Sequence, residues 1–179
     1  MPLDNVERTG GEFVAHKPLQ AREDRLVGSE AALPAPSGKL QAVVTRDYAV
    51  LENEHLRLGF RCNTFGFGPG ELAVKTPSGW RTVAWLPRLS RLVYRTAKDE
   101  RREHGVFGAD PSNAEEAGRA AIRFQWISRD PKIASNRLSM TFALAAGEKC
   151  VSTQYELTAG TTIGLLAFEG PMLYVLERD

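Results

Sequence analysis

Three glycines at alternate positions, Gly66, Gly68 and Gly70, could form a backbone loop that cradles phosphate within the stretch NTFGFGPGEL. Such a loop needs a helix after it and usually a Lys followed by Ser or Thr, because the amides of a helix N-terminus hold the anion. The residues that follow are ELAVKT, which is typical of a strand, and Pro69 has no amide hydrogen to donate. We therefore interpret the stretch as a bend or bulge between strands that glycine permits.

The three histidines, His16, His55 and His104, are far apart and show no metal-ligand spacing. His104 lies among acidic residues in a charged segment that could hold a cation, although a solvated loop is the simpler interpretation. There is no GxSxG elbow, and neither Cys62 nor Cys150 has a neighbouring base that would activate it. Without a CxxC pair or a sign of export, both thiols are expected to be reduced. We expect no metal site and no cofactor.

Polar side chains recur at alternate positions in three predicted strands of the C-terminal half. They share one face if the strands are neighbours, because successive side chains of a strand point to opposite faces. Such a face suits a polyhydroxylated ligand, since each hydroxyl needs a donor or acceptor once it is desolvated. Any solvent-facing sheet alternates in this way, and Arg123 opposite Glu156 could equally form a cross-strand ion pair. The set is Arg123, Gln125, Ser139, Thr141, Ser152, Gln154 and Glu156.

Three tryptophans could offer flat apolar faces to a sugar ring. Trp126 alternates in phase with Ile122 and Phe124 and is expected in the core. Trp80 and Trp85 have opposite parity in one predicted strand, so one of them should face away from the core. The candidate substrate-binding residues are therefore Arg123, Gln125, Gln154, Glu156, Trp80 and His104.

The elements that would position these residues are short strands. In HLRLGFRC, Leu56, Leu58 and Phe60 share one face, and a tight turn at Asn53-Glu54 leads into this strand. ELAVKT-PSG-WRTVAWL predicts a second hairpin, and RLSRLVYR predicts a strand with a bulge or bend. AAIRFQWIS and RLSMTFALAAGEKCVSTQYELTA predict three further strands. The pattern predicts an all-β fold, an antiparallel β-sandwich.

Two parts of the chain depart from this pattern. Residues 1–38 mix charge, proline and small residues, which predicts a flexible N-terminal tail or linker before a β-sandwich domain at 39–179. Residues 96–119 form a long charged connection, in which SNAEEAGR is expected to make a helical turn.

Composition excludes some partners. The net charge of +1 gives no reason to expect nucleic acid or an anionic membrane surface. No apolar run approaches the roughly 20 residues that a membrane span needs. The start, MPLDNVERTGG, does not resemble a signal peptide, so a cytoplasmic location is expected.

The order of strands resembles the galactose-mutarotase-like β-supersandwich over residues 40–176. YAVLENEHLRLGF is similar to the opening hairpin of that fold, FALAAGEKCVSTQYELTA to its later paired strands, and LLAFEGPMLYVLE to a further strand pair. The resemblance implies an association with carbohydrate, because the fold includes aldose epimerases and sandwich domains of glycoside hydrolases and polysaccharide lyases. The epimerases use two histidines and a carboxylate, but His55 and His104 do not stand in the motif contexts of the family. The chain is shorter than a whole supersandwich, which implies a compact or partial version.

Three hypotheses follow. The first is a domain that binds carbohydrate or supports a sugar-processing partner without catalysis of its own. The second is a sugar epimerase or lyase that uses Glu156, Arg123 and His104 near a concave sheet face. The third is an assembly domain, whose terminal strand MLYVLE pairs edge to edge with a second copy or another chain.

Overall fold

The computed structural model describes residues 6–9, 12–15, 32–63, 66–128, 136–160 and 164–176. These ranges are all-β and contain no helix. None of them holds a helix that is long and apolar enough to cross a membrane. The strands are β1 (Val6–Thr9), β2 (Glu12–Ala15), β3 (Gln41–Val44), β4 (Tyr48–Glu52), β5 (Leu56–Asn63), β6 (Gly66–Thr76), β7 (Gly79–Arg88), β8 (Ser90–Arg95), β9 (Arg101–Val106), β10 (Asp110–Glu116), β11 (Arg119–Ile127), β12 (Arg137–Ala145), β13 (Ser152–Thr158), β14 (Gly164–Glu169) and β15 (Met172–Val175).

The described strands form antiparallel sheets, which confirms the predicted fold class at this level. A six-stranded sheet has the order β15-β7-β6-β5-β4-β3, a four-stranded sheet the order β10-β11-β12-β13, and a three-stranded sheet the order β14-β8-β9. β1 and β2 make a separate hairpin. Only Leu89 separates β7 from β8, and only Gly170 and Pro171 separate β14 from β15. The three-stranded sheet therefore continues the six-stranded sheet across a bend, as the irregular pattern of RLSRLVYR predicts.

The hydrophobic core lies between the six-stranded and four-stranded sheets, as in a β-sandwich. Phe60 of β5 lies 4.7 Å from Phe124 of β11 and 5.6 Å from Phe142 of β12, measured between ring centroids. All three rings are buried. The alternation in HLRLGFRC, AAIRFQWIS and RLSMTFALA thus places its apolar residues inside, as predicted, because burial of apolar area drives two such faces together.

The turn at Asn53 connects the two sheets. Its side-chain oxygen accepts hydrogen bonds from the amides of His55 and Leu56, both at 2.8 Å, which closes the predicted turn between β4 and β5. Its amide group donates to the carbonyls of Ala145 and Glu148, both at 2.8 Å. Asn53 is fully buried, so its hydrogen bonds all go to the protein.

The glycine stretch is a strand and not a phosphate loop. β6 begins at Gly66 and pairs with β5, with a register shift between Phe60 and Cys62. Gly66 and Gly68 have φ values of 111° and 141°, a region that favours glycine. A Cβ at Gly68 would lie 2.5 Å from the carbonyl oxygen of Phe107. The glycines therefore permit close approach to the connection between β9 and β10, and of the two interpretations, bend or bulge, the structure shows a bulge within β6.

The prediction of a helical turn in SNAEEAGR is wrong. These residues belong to β10 and to its turn into β11, and the register runs from Asp110 opposite Gln125 to Glu116 opposite Arg119. Gly118, with φ of 70°, makes the turn. Pairing with β11 outweighs the local preference for a helical turn, which is weak at this length.

The last residues of the predicted tail pack on the outer face of the six-stranded sheet. Ser37 donates hydrogen bonds to the buried carboxylate of Glu52 through its amide, at 3.1 Å, and through its hydroxyl. The guanidinium of Arg57, also buried, donates to the carbonyl of Pro34 at 2.5 Å. Most of residues 1–31 lie outside the described ranges, so a flexible tail over residues 1–38 stays a prediction.

Candidate functional site

A cleft of about 660 Å³ opens between β9, the connection at 107–109 and the end of β11. Its volume lies within the range of about 300 to 1,000 Å³ that is typical of small-molecule sites. The residues that give it chemistry are Glu103, His104, Asp110, Gln125, Trp126 and Ser128.

An aromatic pair forms one side of the cleft. The ring centroids of His104 and Trp126 lie 4.8 Å apart, with 44° between the ring planes. Each residue comes from a different sheet: His104 pairs with Leu92 across β9 and β8, and Trp126 pairs with Leu138 across β11 and β12. Trp126 is half-buried against Leu92, so its ring is held by the core while it lines the cleft.

The glycines of β6 help to build the other side of the cleft. Phe67 and Ala109 form a bridge in which each amide donates to the carbonyl of the other, at 2.8 and 3.2 Å. Phe107, Gly108 and Ala109 line the cleft. Side chains at Gly66 or Gly68 would push this connection away, because their Cβ atoms would meet its backbone.

The guanidinium of Arg91 holds the carboxylate of Glu103. Arg91 donates to Glu103 at 2.5 Å and also to Glu169, and Arg88 donates to Glu169 at 3.0 Å. The hydrogen bond from Arg91 lowers the pKa of Glu103 below its usual range. Glu103 therefore lines the cleft as a carboxylate near neutral pH, and it can accept hydrogen bonds.

The polar face predicted from the sequence is contiguous. β11, β12 and β13 are neighbours, with Gln125 opposite Ser139 and Ser139 opposite Glu156. A second row runs from Arg123 through Thr141 to Gln154. β10 adds Asp110 and Ser112, which lie opposite Gln125 and Arg123. The segment at 96–119 thus extends two sheets and does not cover this face as one long loop.

The proposed ion pair between Arg123 and Glu156 does not form as a cross-strand pair. β12 separates the two strands, and the two residues lie in different rows of the sheet. Arg123 instead donates to the hydroxyl of Thr141 at 3.4 Å. The sequence shows that both residues share a face but cannot show how many strands lie between them.

The parity argument for Trp80 and Trp85 is also wrong. An extra residue, Val83, enters β7 where its pairing with β6 shifts. This bulge brings Trp80 opposite Lys75 and Trp85 opposite Glu71, on the sheet face away from the core. The ammonium of Lys75 lies 5.7 Å from the centroid of the Trp80 ring. Trp80 is therefore remote from the cleft.

The structure gathers only part of the candidate set. Gln125 and His104 line the cleft, and Gln125 shares the polar face of the four-stranded sheet with Arg123, Gln154 and Glu156. Trp80 lies on the outer face of the six-stranded sheet. His104 contacts Trp126 on the core side of β11, while Arg123 and Glu156 point the other way. The acid/base trio of the epimerase hypothesis is thus divided between two faces.

The acidic residues near His104 are engaged by arginines. Asp99 accepts from Arg95 at 2.8 Å, and Glu100 accepts from Arg102 at 2.6 Å. Within the described ranges no group of three or more His, Cys, Asp and Glu side chains could hold a metal ion. Neither Cys62 nor Cys150 forms a disulfide; Cys62 is packed against the core and Cys150 is exposed.

Sequence reasoning missed Trp126 and Asp110 as cleft residues. Trp126 alternates in phase with Ile122 and Phe124, as predicted. It lies near the end of β11, however, where it packs against the three-stranded sheet and not against the six-stranded sheet alone. Asp110 was predicted only as one residue of the charged connection at 96–119. A position at the end of a core strand is the one signal that could have singled out Trp126.

No protein family model matches this chain, and neither a curated protein nor a solved structure resembles it significantly.

Proposed function

We propose that this domain is a β-sandwich of the galactose-mutarotase-like type that binds carbohydrate in the cleft between β9 and β11. The observation that carries the proposal is a cleft lined both by the His104–Trp126 pair, on the core side of β11, and by Asp110 and Gln125, which belong to the adjoining polar face. An indole presents a flat apolar face, while amides and carboxylates bind hydroxyl groups. A sugar ring has both kinds of surface.

The electrostatics of the cleft favour a neutral, hydroxyl-rich ligand. Glu103 and Asp110 supply acceptors, and Gln125 supplies both a donor and an acceptor. An anionic ligand would be repelled by these carboxylates, and the arginine nearest to Glu103, Arg91, is already engaged by two carboxylates. The cleft also adjoins the row from Asp110 to Glu156, along which a longer oligosaccharide could extend.

Isothermal titration against a panel of mono- and oligosaccharides tests this proposal. We expect Gln125→Ala and Asp110→Ala each to weaken binding about tenfold, because each removes hydrogen bonds to hydroxyls. Gln154→Ala is the matched control, since Gln154 is an exposed amide on the polar face that does not line the cleft.

The outcomes separate two locations. If Gln154→Ala weakens binding as much as Gln125→Ala does, the ligand lies on the open sheet face and not in the cleft. If no sugar in the panel gives a heat of binding with the wild-type chain, carbohydrate binding is refuted for those sugars.

A second candidate is a sugar epimerase or lyase whose acid and base come from the cleft. His104 and Asp110 both line the opening, His104 from the core side of β11 and Asp110 from the polar face, and imidazole and carboxylate groups are common general acids and bases. Glu103 fits the role of acid poorly because Arg91 lowers its pKa. Anomer exchange of glucose and galactose, followed by NMR, tests this candidate. Rates equal to those in buffer, or an unchanged rate in His104→Ala, would remove it for those sugars.

A further inference from the structure

β14 and β15 expose an unusual amount of apolar side chain. We name this surface the open rim, and it consists of Leu165, Leu166, Phe168, Leu173 and Val175. Leu165 and Leu166 are each 48% exposed, and Val175 is 71% exposed. Contiguous exposed apolar surface marks sites of interaction more often than single exposed residues do.

Apolar side chains of the open rim lie next to buried apolar residues of β8. Leu165 pairs with Tyr94 and Phe168 pairs with Leu92, and both partners on β8 are buried. The ring of Phe168 also contacts the ring of Tyr155 on β13, at 5.0 Å between centroids. β13 is the edge strand of the four-stranded sheet, so that sheet covers the inward-facing side chains of β14 only in part. The exposed part of Leu165 and Phe168 could be covered by another protein surface.

The other sheet edges are protected. The exposed side of β9 carries Arg101, Arg102 and Glu103, and β13 exposes Thr153, Gln154 and Glu156. β10 begins with an aspartate and a proline, and β3 is half-buried. Charges and proline on an edge strand discourage pairing with other chains. Among the edges of the three larger sheets, the open rim combines an unpaired strand with exposed apolar side chains.

We propose that two copies of this chain associate through their open rims. A two-fold axis between Leu166 and Ala167 would bring two β14 strands together antiparallel, with Leu165 opposite Phe168 of the other copy. Glu169, the charged residue of the strand, would then lie opposite Gly164. No like charges meet, and Glu169 is already neutralised by Arg88 and Arg91. A surface that complements itself in this way is what a two-fold interface requires.

The contact between the copies is chiefly apolar. β14 shifts register against β8 between Leu165 and Ala167, so Leu166 is an extra residue there. A bulge increases local twist and interrupts a continuous ladder of backbone hydrogen bonds. The rim is also short, which predicts a weak, reversible dimer.

Sedimentation equilibrium of the full chain, from about 10 µM to about 1 mM, tests this proposal. We expect the average mass to rise toward that of a dimer with concentration. Leu165→Lys and Leu166→Lys should each raise the dissociation constant at least tenfold, because both residues lie at the proposed contact between the two β14 strands and association would then bury a charge. Leu40→Lys is the matched control: Leu40 is an exposed apolar residue beside β3, at the opposite edge of the six-stranded sheet.

Three results would overturn the proposal: a monomer throughout that range, self-association that persists unchanged in both rim variants, or equal weakening by Leu40→Lys. Circular dichroism and thermal unfolding of each variant separate lost association from lost folding. Sugar titration of the same samples is independent, so a failure of carbohydrate binding and a failure of dimerisation are distinguishable.

Discussion

The imidazole of His104 lies 4.8 Å from the indole of Trp126, although 22 positions separate the two residues in the sequence. One ring comes from the edge strand of the three-stranded sheet, the other from the interior of the four-stranded sheet. The contact therefore forms one wall of the cleft, at the place where the three-stranded and four-stranded sheets meet. It also orients the exposed part of the indole, because each ring restricts the rotamers of the other.

We expect His104→Ala to weaken sugar binding about tenfold, since it removes a hydrogen-bonding group and frees the Trp126 ring. Isothermal titration against the sugar that binds the wild-type chain measures the effect. His55→Ala is the control, because His55 lies at the β4–β5 turn and does not line the cleft. Equal losses in the two variants would contradict a role for the aromatic pair.

Folding stability should fall in acid partly through Glu103. The pKa of Glu103 is lowered in the folded state. Its contribution to stability is therefore fully present above the pKa that the Glu103 carboxyl has in the unfolded chain. That contribution is lost as the pH falls through the lower, folded-state pKa. Thermal unfolding between pH 7 and pH 3 should therefore show a smaller loss of Tm for Glu103→Gln than for the wild type. A loss of Tm in Glu103→Gln equal to that of the wild type would contradict this contribution.

Gly68→Ala should destabilise the fold by about 2 kcal/mol or more, because alanine rarely adopts a φ of 141° and its Cβ would meet the Phe107 carbonyl. Urea denaturation measures the change. Gly164→Ala serves as the control, since its added Cβ would meet nothing closer than 3.8 Å. A Gly68→Ala variant as stable as the wild type would show that the 107–109 connection moves aside without cost.

Asn53→Ala should lower the free energy of unfolding by about 2 to 4 kcal/mol, because it removes four hydrogen bonds that a fully buried side chain makes to the backbone. The carbonyl of Glu148 loses its donor, and the amide of Leu56 loses its acceptor. The carbonyl of Ala145 keeps only the longer hydrogen bond from the amide of Glu148, at 3.3 Å. Asn113→Ala, at an exposed position of β10, is the matched control and should change stability by less than about 0.5 kcal/mol. Similar losses in both variants would contradict the connecting role of Asn53.

Local alternation was enough to predict the strands that carry Phe60, Phe124 and Phe142, because a side-chain period of two leaves one possible inner face for each strand. It was also enough to reject a phosphate loop at Gly66–Gly70, since the residues that follow form a strand. The turn at Asn53 was equally local: the side chain bonds amides two and three residues ahead.

The site depended on contacts that no local pattern encodes. The bulge at Val83 reversed the parity that separates Trp80 from Trp85, and one extra residue cannot be seen in a run of mixed composition. Pairing with β11 turned SNAEEAGR from an expected helical turn into β10 and placed Asp110 beside Gln125. The sequence by itself therefore determined which side chains face inward in the regular strands β5, β11 and β12. Only the tertiary structure decided which strands are neighbours, because register and sheet order arise from packing between distant segments. That choice brings His104 to Trp126, and leaves Arg123 and Glu156 on another face.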